Sequence, residues 1–317
     1  MLPLVSVITP TYNRPEYLTE ALKSALNQTY KNIEIIVSDN CSPENPLTLV
    51  ESFNDERIRF SRNEKNLGMI ANTIKTFCLA KGKYVACLLD DDMWEPDFLE
   101  KLVPHLEANP NLALAFSDHS VMRADGSIDH VATKHYSQFY QRANLKEGIY
   151  QPFYHLALVD KAVSPAMAAV IRRDVIDWDS FPQGVEGSWD MFISYLASRE
   201  GLGAYYYPEK LTRYREHDQT DTKQSGSRNA PSKIRKARGD LFCYEQFIND
   251  ERLKDVRPYF QECRAHVSTT LGVGLMRDAK LSEARDYFWN ALLEKFSLRT
   301  LAALIISFAP TSLATRF

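Results

Sequence analysis

The chain has 317 residues, with 38 Lys and Arg against 41 Asp and Glu and a formal net charge of -3, which removes the electrostatic basis for a nucleic-acid partner. Hydrophobic residues at 44% and charged residues at 25% are those of an ordinary globular protein, long enough for one large domain with an appendage. Five cysteines (Cys41, Cys78, Cys87, Cys243, Cys263) without C-x-x-C spacing argue against a disulfide framework or a zinc site and suit a reducing compartment.

The first segment, "MLPLVSVITPTYNR", lacks a basic leader and breaks at Pro10, so Val5 to Thr9 reads as a buried strand, not a signal peptide, and a cytoplasmic protein is expected. "RPEYLTEALKSALNQTY" repeats Leu18, Leu22, Ala25 and Leu26 at helical spacing, and Ile33 to Ser38 is the next strand. A helix over "PLTLVESFN", a strand from Ile58 to Ser61, a helix over "MIANTIKTFCLAKG" and the apolar strand Tyr84 to Leu89 continue the alternation. The expected fold class is α/β, a Rossmann-like, mainly parallel sheet flanked by helices. Ligands of such sheets gather at the carboxyl ends of the strands, where "TPTYNR", "SDNCSP" and "DDDMWEP" fall.

A helix from Asp97 to Glu107 and a strand from Leu112 to Ser117 follow, then a loose, aromatic-rich stretch from Asp118 to about Ala162. A helix begins near Asp190, "AYYYPEKLTRYREH" is a strand running into an extended segment, and the polar "TDTKQSGSRNAPSK" reads as a lid or linker. From Lys233 the pattern is helical, with Ala284, Tyr287, Phe288, Ala291 and Leu292 on one face. These changes divide the chain into a domain of residues 1–222 and a C-terminal helical extension of residues 223–317. The apolar tract Leu301 to Ala309 is too short to span a bilayer and suits either a membrane surface or packing on the domain.

Asp90, Asp91 and Asp92 end the buried run "KYVACLL", where each charge raises the cost of the next. A divalent cation offsets that repulsion, and hard oxygen ligands suit Mg2+ or Mn2+. If the strand continues, Asp90 and Asp92 share a face. Read alone, Asp91 or Asp92 serves equally well as a cap for the helix entered at Pro96.

"VSVITPTYNRPEYLTEALKSALNQTYKNIEIIVSDNCSPE", "NEKNLGMIAN" and "GKYVACLLDDDMWEPDFLEKL", in that order, resemble the nucleotide-sugar-dependent family 2 glycosyltransferases with the GT-A fold. The resemblance implies metal-dependent, inverting transfer of a sugar from a nucleoside-diphosphate sugar, UDP-sugars being favoured, to a hydroxyl of a glycan or lipid-linked glycan. Bacterial surface polysaccharide or glycolipid assembly is the implied setting, with Mn2+ or Mg2+ as cofactor. Carried over by position, Pro10, Tyr12 and Arg14 line the nucleotide pocket, Asp39 accepts a hydrogen bond from the base, and Asn66 and Gly68 approach the nucleotide. Asp90 meets the ribose or the metal, Asp91 adds to the nucleotide site, and Asp92 with His217 ligates the metal.

The general base expected in "EGSWDMFISYLA" is Asp190, with Glu186 as the alternative; Ser188 stands where some relatives carry an aspartate, and Met93 where many carry another. Without the resemblance, Asp39 is a turn residue, Asp190 a helix cap and His217 a surface histidine. "TPTYNRPEY" contains no glycine, which excludes the glycine-rich phosphate loops of nucleotidylyltransferases, dehydrogenases and P-loop enzymes. The remaining alternative is a non-catalytic glycan- or nucleotide-binding homologue. Arg299 and Arg316 beside the terminal apolar tract suggest peripheral contact with the inner face of the plasma membrane.

Overall fold

Strands rich in apolar residues alternate with helices through the first third of the chain. The computed structural model describes residues 2–164, 166–218, 220–226 and 229–315. Strand β1 (Val5–Thr11) is buried throughout and leads into helix α1 (Pro15–Leu26), where Pro15 occupies a first-turn position whose N–H needs no helical partner. There follow β2 (Ile33–Asp39), α2 (Leu47–Glu51), β3 (Ile58–Arg62), α3 (Met69–Cys78), β4 (Tyr84–Cys87), β5 (Met93–Trp94) and α4 (Phe98–Ala108). Next come β6 (Leu112–Arg123), α5 (His130–Phe139), β7 (Gly148–Tyr150), β8 (Ala169–Arg172), α6 (Trp189–Ser198) and β9 (Gly203–Glu216).

The strands form one sheet in the order β3-β2-β1-β4-β8-β6-β9-β5, with β7 on β9. β3, β2, β1 and β4 are parallel, as their alternation with helices requires. β8 then runs antiparallel between β4 and β6, and β5 and β7 run antiparallel to β9, so the complete sheet is mixed. Leu18, Leu22, Val7, Ile35, Leu99 and Leu102 belong to one buried cluster on this sheet, where truncating a leucine to alanine costs about 2–5 kcal/mol.

Three expectations change. Strand β4 stops at Cys87, and the Asp92 N–H donates to the Leu89 carbonyl at 3.1 Å, so the aspartates occupy a turn and are not arranged by strand alternation. The stretch after Asp118 is ordered: β6 continues to Arg123 and α5 follows. The polar segment after Thr220 is largely helical, in α7 (Asp221–Gly226) and the start of α8 (Ala230–Asn249); Ser227 and Arg228, part of the expected lid, lie outside the described residues.

The chain divides into two compact units, Met1–Phe181 with Ile193–Glu216, and Pro182–Phe192 with His217–Phe317. The first contains the whole sheet. In the second, α8 is followed by α9 (Arg257–Arg277), α10 (Leu281–Glu294) and α11 (Leu298–Ile306) around Leu271, Met276, Phe288 and Ala303. Gly272 makes room for the Phe288 ring, which a β-carbon there would meet at 2.5 Å. Trp289, Leu293, Phe296, Leu298, Ile305 and Phe308 are exposed. Arg316 lies outside the described residues.

Candidate active site

Thr11, the last residue of β1, joins two polar edges. It stands opposite Asp39 of β2, its carbonyl accepts the Asn40 N–H at 2.9 Å, and its hydroxyl donates to Asp90 Oδ2 at 2.8 Å. The Tyr12 N–H donates to the same oxygen at 3.3 Å. Arg14, just before the first turn of α1, places Nη1 3.3 Å from Asp90 Oδ1 and 2.6 Å from Asp91 Oδ2.

Asp92 is held by β9: its Oδ1 accepts the Arg215 N–H at 2.8 Å, while its buried Oδ2 has no hydrogen-bond partner among the described residues. The buried Arg215 guanidinium is directed elsewhere. Its Nε donates to the Asp91 carbonyl at 2.8 Å, Nη1 to the Ala124 carbonyl at 3.0 Å, Nη2 pairs with Glu20, and the group lies 4.6 Å over the Tyr17 ring.

The balance of charge is therefore negative. Burial, then repulsion from Asp91, pushes the Asp90 carboxyl up to about 7, more than Arg14, the Thr11 hydroxyl and the Tyr12 N–H restore. Burial and Asp91 likewise raise Asp92 well above the usual carboxylate range, against the Arg215 N–H. Burial works to lower Arg14, but Asp90 and Asp91 outweigh it and raise the guanidinium.

Alongside lies a rim built on β2. Fully buried Asp39 pairs with Arg62 at 2.9 Å and accepts the Ser42 N–H at 3.2 Å, together with the Ser42 hydroxyl. Asn40 Oδ1 accepts from Asn63 at 3.1 Å and from the Leu67 N–H at 2.9 Å, and its amide donates to Asn66 Oδ1 at 3.0 Å. Asn66 Oδ1 also takes the Gly68 N–H at 2.8 Å. Gly68 has φ +84° with open space where a side chain would be, so the backbone here is accessible in a conformation that favours glycine. Pro10 is buried in β1 opposite Ser38, and Tyr12 is exposed.

Of the expected site residues, the first unit thus gathers Pro10, Tyr12, Arg14, Asp39, Asn66, Gly68, Asp90, Asp91 and Asp92 at the carboxyl ends of β1, β2, β3 and β4. Hydrogen bonds run continuously from Asn66 through Asn40 and Thr11 to Asp90. Glu186, Asp190 and His217 belong to the second unit. Asp190 lies in the first turn of α6 and is half-buried; His217, directly after β9, is buried, with its carbonyl accepting the Thr220 N–H at 3.0 Å. Glu186 has φ 44° and ψ −133°, a strained conformation for a residue with a side chain.

Sequence reading missed Thr11, Asn40 and Arg215. Thr11 and Asn40 stand inside motifs that had been singled out, and Arg215 adjoins His217 but meets Asp92 across 123 positions of sequence, a pairing no local pattern carries.

The residues fit a divalent cation. Asp92 Oδ2 is a buried acceptor without a donor among the described residues, and burial and the neighbouring Asp91 raise the proton affinity of Asp90 and Asp92 beyond what Arg14 and Arg215 offset. Among the described residues, no three His, Cys, Asp or Glu side chains form a complete protein cage. One or two carboxylates, with phosphate oxygens and water completing the shell, is a typical Mg2+ arrangement.

The sequence pattern of the family described as glycosyl transferase family 2 matches residues 6–167, just over half the chain. The chain belongs to glycosyl transferase family 2. This family 2 chain is 36% identical over 127 residues to a Bacillus subtilis glycosyltransferase named for teichuronic acid biosynthesis, covering 39% of this chain and 50% of that one. It spans about half the length of the curated relatives it matches. Staphylococcus aureus TarS, solved with UDP-GlcNAc, aligns at 17% identity with a TM-score of 0.67 over 98% of this chain and 89% of that one. A Pyrobaculum calidifontis mannosyltransferase, solved with GDP-Man and Mn2+, aligns at 18% identity and a TM-score of 0.57 over 100% and 84%. At these identities the likeness establishes the fold, which is GT-A.

Proposed function

We propose that the protein transfers a sugar, with inversion, from a nucleoside-diphosphate sugar to a hydroxyl of a glycan or lipid-linked glycan. The observation that carries this reading is the undercompensated turn of Asp90 and Asp92 beside a polar rim suited to a nucleoside. Pro10, Tyr12, Arg14, Asp39, Asn66, Gly68, Asp90 and Asp91 bind the nucleotide, and the Arg14 pairing with Asp90 and Asp91 supports their acting together. Asp90 and Asp92 would hold Mn2+ or Mg2+, with His217 as the further expected ligand, and the metal would offset the charge on the departing diphosphate. Asp190, with Glu186 as the alternative, takes the proton from the attacking hydroxyl opposite the leaving group. UDP-sugars are the favoured donors, and TarS, solved with UDP-GlcNAc, supports testing them first.

Residues 1–222 carry the transfer, and the extension 223–317 makes membrane or partner contact. The name of the B. subtilis relative supports a role in surface polysaccharide assembly. Exposed Leu298, Ile305 and Phe308 beside Arg299 support peripheral attachment at the inner face of the plasma membrane. No helix among the described residues is long and apolar enough to cross a membrane. A second reading, a non-catalytic binding homologue, is favoured by Ser188, which is buried and hydrogen-bonded to Asp240.

Turnover of a nucleotide-sugar panel with Mn2+, Mg2+ or chelator separates the two. Metal-dependent consumption of one donor, lost in Asp92→Asn, is expected; nucleotide binding without turnover under every acceptor supplied overturns the catalytic reading.

A further inference from the structure

Helix α8 meets the segment 184–190 with four residues spaced i, i+3, i+4 and i+7, which places them on one face. Lys236 Nζ donates to the Gly187 carbonyl at 3.2 Å and bonds Ser188 Oγ at 3.0 Å. Gly239 lies so close to the Val185 carbonyl that a β-carbon there would collide with it. Asp240 Oδ1 accepts the Ser188 hydroxyl at 2.5 Å and pairs with Lys236 at 3.1 Å. The Cys243 thiol donates to the Ser188 carbonyl at 3.8 Å.

The segment so held contains both carboxylates considered for proton transfer. Glu186 sits in a strained backbone conformation that persists only where its surroundings enforce it. Val185 and Ser188 on either side are fully buried, which supplies the enforcement. Lys236 also feels Asp190: burial acts to lower the ammonium, and Asp240, then Asp190, more than reverse this.

We propose that the face of α8 formed by Lys236, Gly239, Asp240 and Cys243 is a positioning device for the proton-accepting segment, keeping Glu186 and Asp190 in the directions that transfer requires. This rests on the glycosyltransferase reading of the segment, and it gives the helical extension a part in the reaction beyond contact with a membrane. Lys236 and Asp240 are positioning residues: they act through Gly187 and Ser188.

The test compares Lys236→Met, Lys236→Arg and Asp240→Ala with wild type in the full chain, reading kcat, donor KM, thermal midpoint and hydrogen exchange of peptides spanning 184–190. Lys236→Met and Asp240→Ala are expected to lower kcat by about tenfold to a hundredfold, as a displaced catalytic group does, with donor KM within about twofold and faster exchange of the segment. Lys236→Arg is expected to restore most of kcat. Unchanged exchange overturns the proposal, and so does faster exchange with unchanged kcat, which is a clamp without catalytic consequence. A wild type that turns over no donor counts against the glycosyltransferase reading, while the exchange result still tests the clamp.

Discussion

Asp90 and Asp118 are both buried aspartates of the first unit, and their surroundings push them in opposite directions. Asp118, on β6, accepts the Ser137 hydroxyl at 2.5 Å and the His119 N–H at 2.9 Å, and has Arg142 at 3.1 Å and Lys210 at 3.4 Å. Burial acts to raise its proton affinity, but Arg142, Ser137 and the His119 N–H outweigh that and hold the carboxyl below its usual range. Asp90 shares one arginine with Asp91 and ends up at about 7. Burial alone therefore does not mark a functional carboxylate. What separates the two is whether the built-in countercharge outweighs burial, as at Asp118, or falls short of it, as at Asp90 and Asp92.

The contrast predicts opposite outcomes from the same substitution. Asp92→Asn should lower turnover by about 10²–10³-fold, the scale of losing one transition-state charge stabiliser, while the metal-free thermal midpoint holds or rises because a carboxyl that ionises only at a cost is replaced by a neutral amide. Asp118→Asn should do the reverse, leaving Arg142 buried beside a neutral amide and costing about 3–5 kcal/mol in denaturant melts. If both variants behave alike, the distinction fails.

Acidity sharpens it further. Because Asp90 titrates near 7 in the folded chain and near 4 when unfolded, the folded state holds the extra proton between those values, and stability falls as pH rises through that window. Melts in chelator from pH 5 to pH 8 should show wild type losing ground to Asp90→Asn; parallel curves would refute this.

The smallest effect is expected at His119, fully buried and without a hydrogen-bond partner for either ring nitrogen among the described residues. Burial, then Arg142, depresses it to about 3. An unfolded histidine binds its proton near 6.5, so stability is lost as pH falls from about 6.5 towards 3. His119→Phe should lie within about 1 kcal/mol of wild type at pH 7.5 and flatten the acid limb of the melting curve.

How much of this could be read from the chain follows the same division. β1, β2 and β4 were legible because each is a run of apolar residues between turn signals, and the acidic turn was legible because three adjacent carboxylates have few uses. The far half of β6 was not, since Asp118, His119 and Ser120 break the apolar pattern and become tolerable in a core only through Arg142, Lys210 and Ser137, supplied from elsewhere in the chain. Arg215 stayed hidden for the same reason. A charged residue in a strand reads as exposed until Glu20, Ala124 and Asp91 are seen around it. The α8 contacts with Ser188 span 48 to 55 positions and leave no periodic trace.

The β6–β9 ladder slips register between Ser117 and Asp118 and again between Asp118 and His119, so that β9 runs ahead of its neighbour before pairing Arg215 with Met122. Length changes in this strand consequently have unequal fates. A residue lost from Thr212–Tyr214, which pair one for one with His119–Val121, would rotate Arg215 by one pleat and carry its N–H away from Asp92, whereas a residue lost at Pro208 or Glu209, inside the slip, is absorbed there. Lineages of this protein should therefore vary in length between Tyr207 and Lys210 while keeping the count of residues from Thr212 to Arg215 constant.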